Sequence, residues 1–149
     1  MNLLRSTALA AGALLLGGCG LDVMYADWRV DRLCKQDGGV TVFETDSPPA
    51  EFRMPDGRID LNKLEQAEHG QSYYLERKWT TLKQGDPELV RSELRLVRNI
   101  DGVVLGISVA YLRPAQSLGI PFFSRQAYMC PERGNLGPLA EAVFFGAKR

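Results

Sequence analysis

Val103-Val104-Leu105-Gly106-Ile107-Ser108-Val109-Ala110-Tyr111-Leu112 is apolar on both of its alternating faces. In an extended strand successive side chains point to opposite sides of the sheet. That puts Val103, Leu105, Ile107, Val109 and Tyr111 on a bulky face, and Val104, Gly106, Ser108, Ala110 and Leu112 on a mostly small one. A strand with no wet face belongs inside a sheet that is covered on both sides. The small face lets a helix approach closely, and the N-terminal helix is the one expected there.

Around this stretch the pattern changes to half-wet strands. Tyr73, Leu75 and Trp79 alternate with Glu76, Lys78 and Thr80, and Val90, Leu94 and Leu96 alternate with Arg91, Glu93 and Arg95. Period two with one polar side means one face packed and one solvated. Gln84-Gly85-Asp86-Pro87 and Asn99-Ile100-Asp101-Gly102 are turn sequences between these strands. Val40 to Thr45 is a further short β-rich run, and Phe122 to Cys130 is expected as the last strand.

Three stretches read as helix. Val23, Ala26, Val30 and Leu33 make one apolar stripe over Leu21 to Gln36, with Cys34 beside it. Asp37-Gly38-Gly39 stops that helix, glycine being the usual residue for the positive φ beyond a C-terminus. Leu61 to Glu68 is a short helix with Asp60 as its cap. Leu139 to Phe145 fits helical spacing, although Val143-Phe144-Phe145 also suits an edge strand. The fold class is therefore α+β, an antiparallel sheet of about four or five strands packed against an N-terminal helix.

The start of the chain carries a different signal. Residues 1–18 hold one charge, Arg5, and Ala8 to Leu16 is an unbroken run of Ala, Gly and Leu. A positive start, a short apolar run and small residues after it form the signal-peptide pattern. The run is too short for a spanning helix, which needs about 20 apolar residues. Leu16-Gly17-Gly18-Cys19 resembles the lipobox of bacterial lipoproteins. The resemblance implies cleavage after Gly18, lipid on the Cys19 thiol and on the new terminus, and residues 19–149 as a single small periplasmic domain anchored to a membrane through Cys19. Gly20, where an Asp would signal otherwise, implies the periplasmic face of the outer membrane in a Gram-negative source. A secretory signal with a chance cysteine is the alternative.

The chain has three cysteines. With Cys19 lipidated, Cys34 and Cys130 remain, and an even remainder in an oxidising compartment favours a disulfide. Two separate buried thiols are the alternative. Leu33 to Thr45 is similar to a helix-turn-strand unit of bacterial lipoproteins and exported proteins, in which a Cys-x-x-Asp-Gly-Gly turn precedes a short strand. That resemblance implies a bridged Cys34 and no activity. Met24, Tyr25 and Trp28 fall on the side of the first helix away from its stripe, near Arg32 and Lys35. They are expected to pack on another part of the domain; resting at a membrane headgroup layer is the alternative.

Composition excludes some classes of function. Eighteen basic and eighteen acidic residues balance, so neither a nucleic-acid footprint nor a polybasic membrane tail is written in the overall charge. His69 is the only histidine, and one His at a helix end reads as surface rather than metal ligand. No Gly-x-Ser-x-Gly elbow, phosphate-cradling glycine loop or Cys-x-x-Cys pair occurs, and no cofactor is expected. Glu44, Asp46 and Glu51 form a loose acidic group that reads as solvated loop.

Two aromatic features are candidate partner surfaces. Core packing is the commoner explanation for both; one is Tyr73-Tyr74 with Trp79. The other is the loop from Ser117 to Ser124, with Ile120, Phe122 and Phe123 as its partner-facing residues. The functional expectation is a lipid-anchored envelope protein that works by binding or scaffolding. An inhibitor or exclusion factor acting on an envelope hydrolase or phage component is a second class, and a carboxylate hydrolase a third.

Overall fold

The computed structural model describes residues 18–117, 124–131 and 136–146. Helix α1 (Gly18–Asp37) leads into strand β1 (Gly39–Val42). A short 3-10 turn (Ala50–Phe52) and helix α2 (Leu61–Glu65) follow. Then come β2 (Tyr73–Lys83), β3 (Leu89–Arg98) and β4 (Val103–Arg113). The short pieces β5 (Gln116–Ser117), β6 (Ser124–Arg125) and β7 (Tyr128–Cys130) precede helix α3 (Leu136–Phe145).

The main sheet is antiparallel and runs β1-β4-β3-β2, with β7 also paired to β4. β1 covers Gly106 to Val109 and β7 covers Tyr111 to Arg113, so the two lie end to end along one edge of β4. β4 is thus interior, as its two apolar faces require. Of the expected final strand, Phe122 and Phe123 lie outside the described residues; among the described ones β5 and β6 form a separate two-stranded ribbon, and Tyr128–Cys130 joins the sheet.

β4 does not keep one bulky face. The pairing slips between Leu96 and Val97: Leu96 opposes Gly106 while Val97 opposes Val104. The extra residue, Leu105, reverses the alternation, as a bulge does. Val103 and Leu105 therefore pack on the same side as Gly106, whereas Ile107, Val109 and Tyr111 pack on the other. A strict period of two carried across the bulge misassigns three residues, Val103, Val104 and Leu105.

Each face has its own helix. Ala26 and Val30 of α1 pack with Leu89, Val109 and Tyr111, joined by the partly buried Leu33 and Ile107. On the opposite face, Leu139, Ala140, Val143 and Phe144 of α3 meet Leu94, Leu96, Leu105, Phe52 and Leu64. The expected partner of the small face is corrected accordingly. The helix over Gly106 is α3 rather than α1, because the bulky residues after the bulge fill the α1 side. Each large apolar side chain fully buried here contributes roughly 1.5–3 kcal/mol, so α3, ten residues long, is held by its four buried positions rather than by its own propensity.

Local signals act as expected at the ends. The Asp60 carboxylate accepts from Lys63 N at the start of α2. α1 closes when Gly38 N donates to Cys34 O, and Gly39 then adopts φ 107° to turn the chain into β1. Cys34 and Cys130 are bonded, with Cα atoms 6.0 Å apart. The bridge joins the end of α1 to the strand beside β1.

Candidate functional site

The period-two pattern of β2 sets Arg77 and Trp79 on the α3 side of the sheet, opposite Leu94 and Ser92. α3 and α2 cover the middle of that side and leave its β7 end open. The result is a groove of about 570 Å³. Its floor is Ser92, Leu94, Leu112 and Met129, and Leu61 and Leu136 form one wall. The other wall is Trp79 with Arg77, whose guanidinium holds Glu65 at 3.1 Å. Trp79 is 56% exposed and adds its ring to the apolar lining of the groove.

A second groove of about 620 Å³ runs between the Asp56 to Leu61 segment and the outer side of α3. Ile59, Leu61, Ala140 and Phe145 line it, with Arg58 and Glu141 at its rim. Phe145 is exposed. Leu61 and Gly137 line both grooves, and they touch closely enough that a Cβ on Gly137 would stand 3.5 Å from Leu61 Cδ1. One apolar face therefore runs from Trp79 to Phe145, notched on each side of that contact. Such a face suits an extended apolar segment with a few polar groups at its edges.

The aromatic pair read from the sequence separates. Tyr73 is core: its ring meets Phe144 edge-on at 5.2 Å, and its hydroxyl donates to Asp46 Oδ2 at 2.9 Å. Burial and then that carboxylate push the Tyr73 phenol up to about 12. Tyr74 stacks on His69, with ring centres 4.2 Å apart. Only Trp79 faces the groove.

The acidic group proves to be more than solvated loop. Arg98 gathers Glu44 at 2.6 Å, Asp46 at 3.0 Å and Asp101 at 2.7 Å. Arg98 and then the Tyr73 hydroxyl hold the Asp46 carboxyl below its ordinary range, and Arg98 does the same to Asp101. Glu51 instead accepts from Ser72 N. These carboxylates fasten the β1–α2 connection to the end of β3. Glu93 is likewise occupied, lying between Arg91 and Arg95 on the α1 side, which lower its carboxyl. Among the described residues no three or more His, Cys, Asp or Glu side chains converge as metal ligands do.

Cys19 lies in the first turn of α1. Ile120, Phe122 and Phe123 lie outside the described residues; the paired strands β5 and β6 flank that segment. Residues 1–17 also lie outside, and no described helix is long and apolar enough to cross a membrane. The expected packing of Met24, Tyr25 and Trp28 is corrected: they are 69%, 59% and 51% exposed. α1 meets the sheet through its opposite side, and nothing among the described residues reaches round to them. Sequence reading also missed the groove, since its walls come from α2, β2 and α3, far apart in the chain. The signal present was Trp79 on the dry face of an edge strand. No protein-family model, curated protein or solved structure matches this chain.

Proposed function

We propose that this is a lipid-anchored protein of the bacterial cell envelope, held through Cys19, which acts by binding or scaffolding through the face between Trp79 and Phe145. The observation that carries the reading is the Cys34–Cys130 bond. It consumes two of three thiols in a manner suited to an oxidising compartment, and it leaves the lipobox cysteine as the odd one. Gly20 after the anchor favours the periplasmic face of the outer membrane in a Gram-negative source.

Two experiments test the two halves. Cells making the full chain are grown with labelled palmitate; label is expected on the protein and lost in Cys19→Ser. Label retained by that variant, or missing from the native chain, sinks the anchor. A photo-crosslinking residue at position 79 or 145 is expected to capture an envelope protein in living cells, while the same residue at exposed Ile100, away from the groove, does not. Equal capture at all three positions removes the binding face.

A further inference from the structure

Among the described residues, nothing packs on the outward face of α1. Leu21, Met24, Tyr25, Trp28, Arg32 and Lys35 fall within an arc of about 100° of the helix at 3.6 residues per turn, and the four apolar ones are all more than half exposed. Tyr25 stacks on Trp28 with ring centres 5.6 Å apart, and the Arg32 guanidinium lies 5.5 Å from the Trp28 ring centre. Arg29 flanks the same side, and with Tyr25, Trp28 and Arg32 it lines a shallow recess.

Charge on this helix is sorted. All four aspartates are engaged by the domain: Asp27 by Arg113 at 2.6 Å, Asp31 by the Tyr128 hydroxyl at 2.8 Å, Asp22 by Arg125 at 3.8 Å, and Asp37 by the Tyr111 hydroxyl and Arg91. The three cations, Arg29, Arg32 and Lys35, have no ion pair among the described residues. A helix whose acids are each held by a hydrogen bond or ion pair from the domain and whose outward face is Trp, Tyr, Met, Leu and bases has the make-up of an interfacial helix. Indole and phenol rings settle where one end is apolar and the other wet.

We propose that α1 lies along an anionic bilayer surface, with Leu21, Met24, Tyr25 and Trp28 in the headgroup layer and Arg29, Arg32 and Lys35 on lipid phosphates. The proposal rests on the reading of Cys19 as the anchor, which puts the start of this helix at the membrane. From Cys19 to Lys35 the helix runs about 24 Å at 1.5 Å per residue, so lying flat fixes the domain's orientation and turns the α3 face away from the lipid.

The test uses the mature protein, purified in detergent from membranes of cells making the full chain with Trp79→Phe, so that Trp28 is its one tryptophan. Mass spectrometry of its first peptide reports whether Cys19 carries lipid. The protein is then placed in vesicles of phosphatidylcholine alone, or with phosphatidylglycerol, containing brominated lipid. Trp28 emission is expected to shift to the blue and to be quenched by bromine in the anionic vesicles. Exchanging Arg29, Arg32 and Lys35 for Gln is expected to lower the bound-to-lifted ratio about fivefold per cation.

A lipidated Cys19 with Trp28 still open to aqueous acrylamide overturns the helix proposal and leaves the anchor standing. An unmodified Cys19 with Trp28 still quenched removes the anchor and retains the helix surface. Trp28 shielded in native membranes but not in protein-free anionic vesicles assigns the face to a protein partner and overturns the lipid proposal.

Discussion

Leu139 closes on Gly106 so tightly that a Cβ at Gly106 would stand 3.0 Å from Leu139 Cδ1. It would also meet Thr41 O at 3.0 Å and Val143 Cγ2 at 3.1 Å. The missing side chain is what lets α3 sit on β4. Gly106→Ala removes some freedom from the unfolded chain, which offsets part of the crowding. A net loss of about 1 kcal/mol is expected for Ala and about 3 kcal/mol for Val, read from chemical denaturation midpoints. A Val variant as stable as the native protein would contradict the contact.

The Cys34–Cys130 bond closes a loop with a sequence separation of 96. On the chain-entropy account a loop of that size contributes ~4–5 kcal/mol. The double replacement Cys34→Ser and Cys130→Ser is expected to lose about that much, and the native protein under reducing conditions to match it. Denaturation with and without reductant measures both. Agreement of the oxidised protein with the double variant would contradict the expectation.

Arg113 is 4% exposed, and its Nη1 has no hydrogen-bond partner among the described residues. Its charge is met by Asp27, which accepts from Nε at 2.6 Å. Asp27→Asn strands a buried cation and is expected to lose about 3 kcal/mol. The pair Asp27→Leu with Arg113→Met replaces ions with apolar volume and is expected to recover most of that loss. A double-variant cycle checks the coupling.

The Arg98 hub predicts how stability changes with pH. Asp46 and Asp101 have carboxyls lowered in the folded state. A depressed carboxyl contributes stability that is present above its unfolded pKa, about 4, and lost as pH falls through the folded value. Arg98→Met should therefore flatten the acid side of the stability curve below about pH 4. Tyr73 acts at the other end. Its phenol is raised to about 12, so its contribution holds below about pH 10 and drains as pH rises through the folded value. Tyr73→Phe should remove that alkaline loss; an unchanged curve at both ends would show that neither group is linked to folding.

Much of the fold was legible because its signals are local. Alternation along Tyr73 to Leu96, the stop at Asp37-Gly38-Gly39 and the Asp60 cap each depend on neighbours in sequence. The interior position of Val103 to Leu112 followed from its having no polar face. What escaped was set by partners distant in the chain. The bulge at Leu105 depends on how β3 aligns with β4, and it decided which helix covers Gly106. The groove beside Trp79 exists only because α2 and α3 stop short of it. Trp28 and Tyr25 looked like packing residues because aromatic side chains usually are; they are exposed because α1 meets the sheet through its other side.

The bridge between α1 and β7 also decides how the molecule carries tension. A pull on the start of α1 travels down the helix to Cys34, then passes through sulfur to Cys130. The chain between those residues, which holds β1 to β6 and α2, is bypassed. Strands β2, β3 and β4 therefore cannot be peeled apart in series by force applied at the two ends of the chain. Such a pull can draw out α1 on one side of the bridge and the segment holding α3 on the other, while β1 to β6 stay behind it.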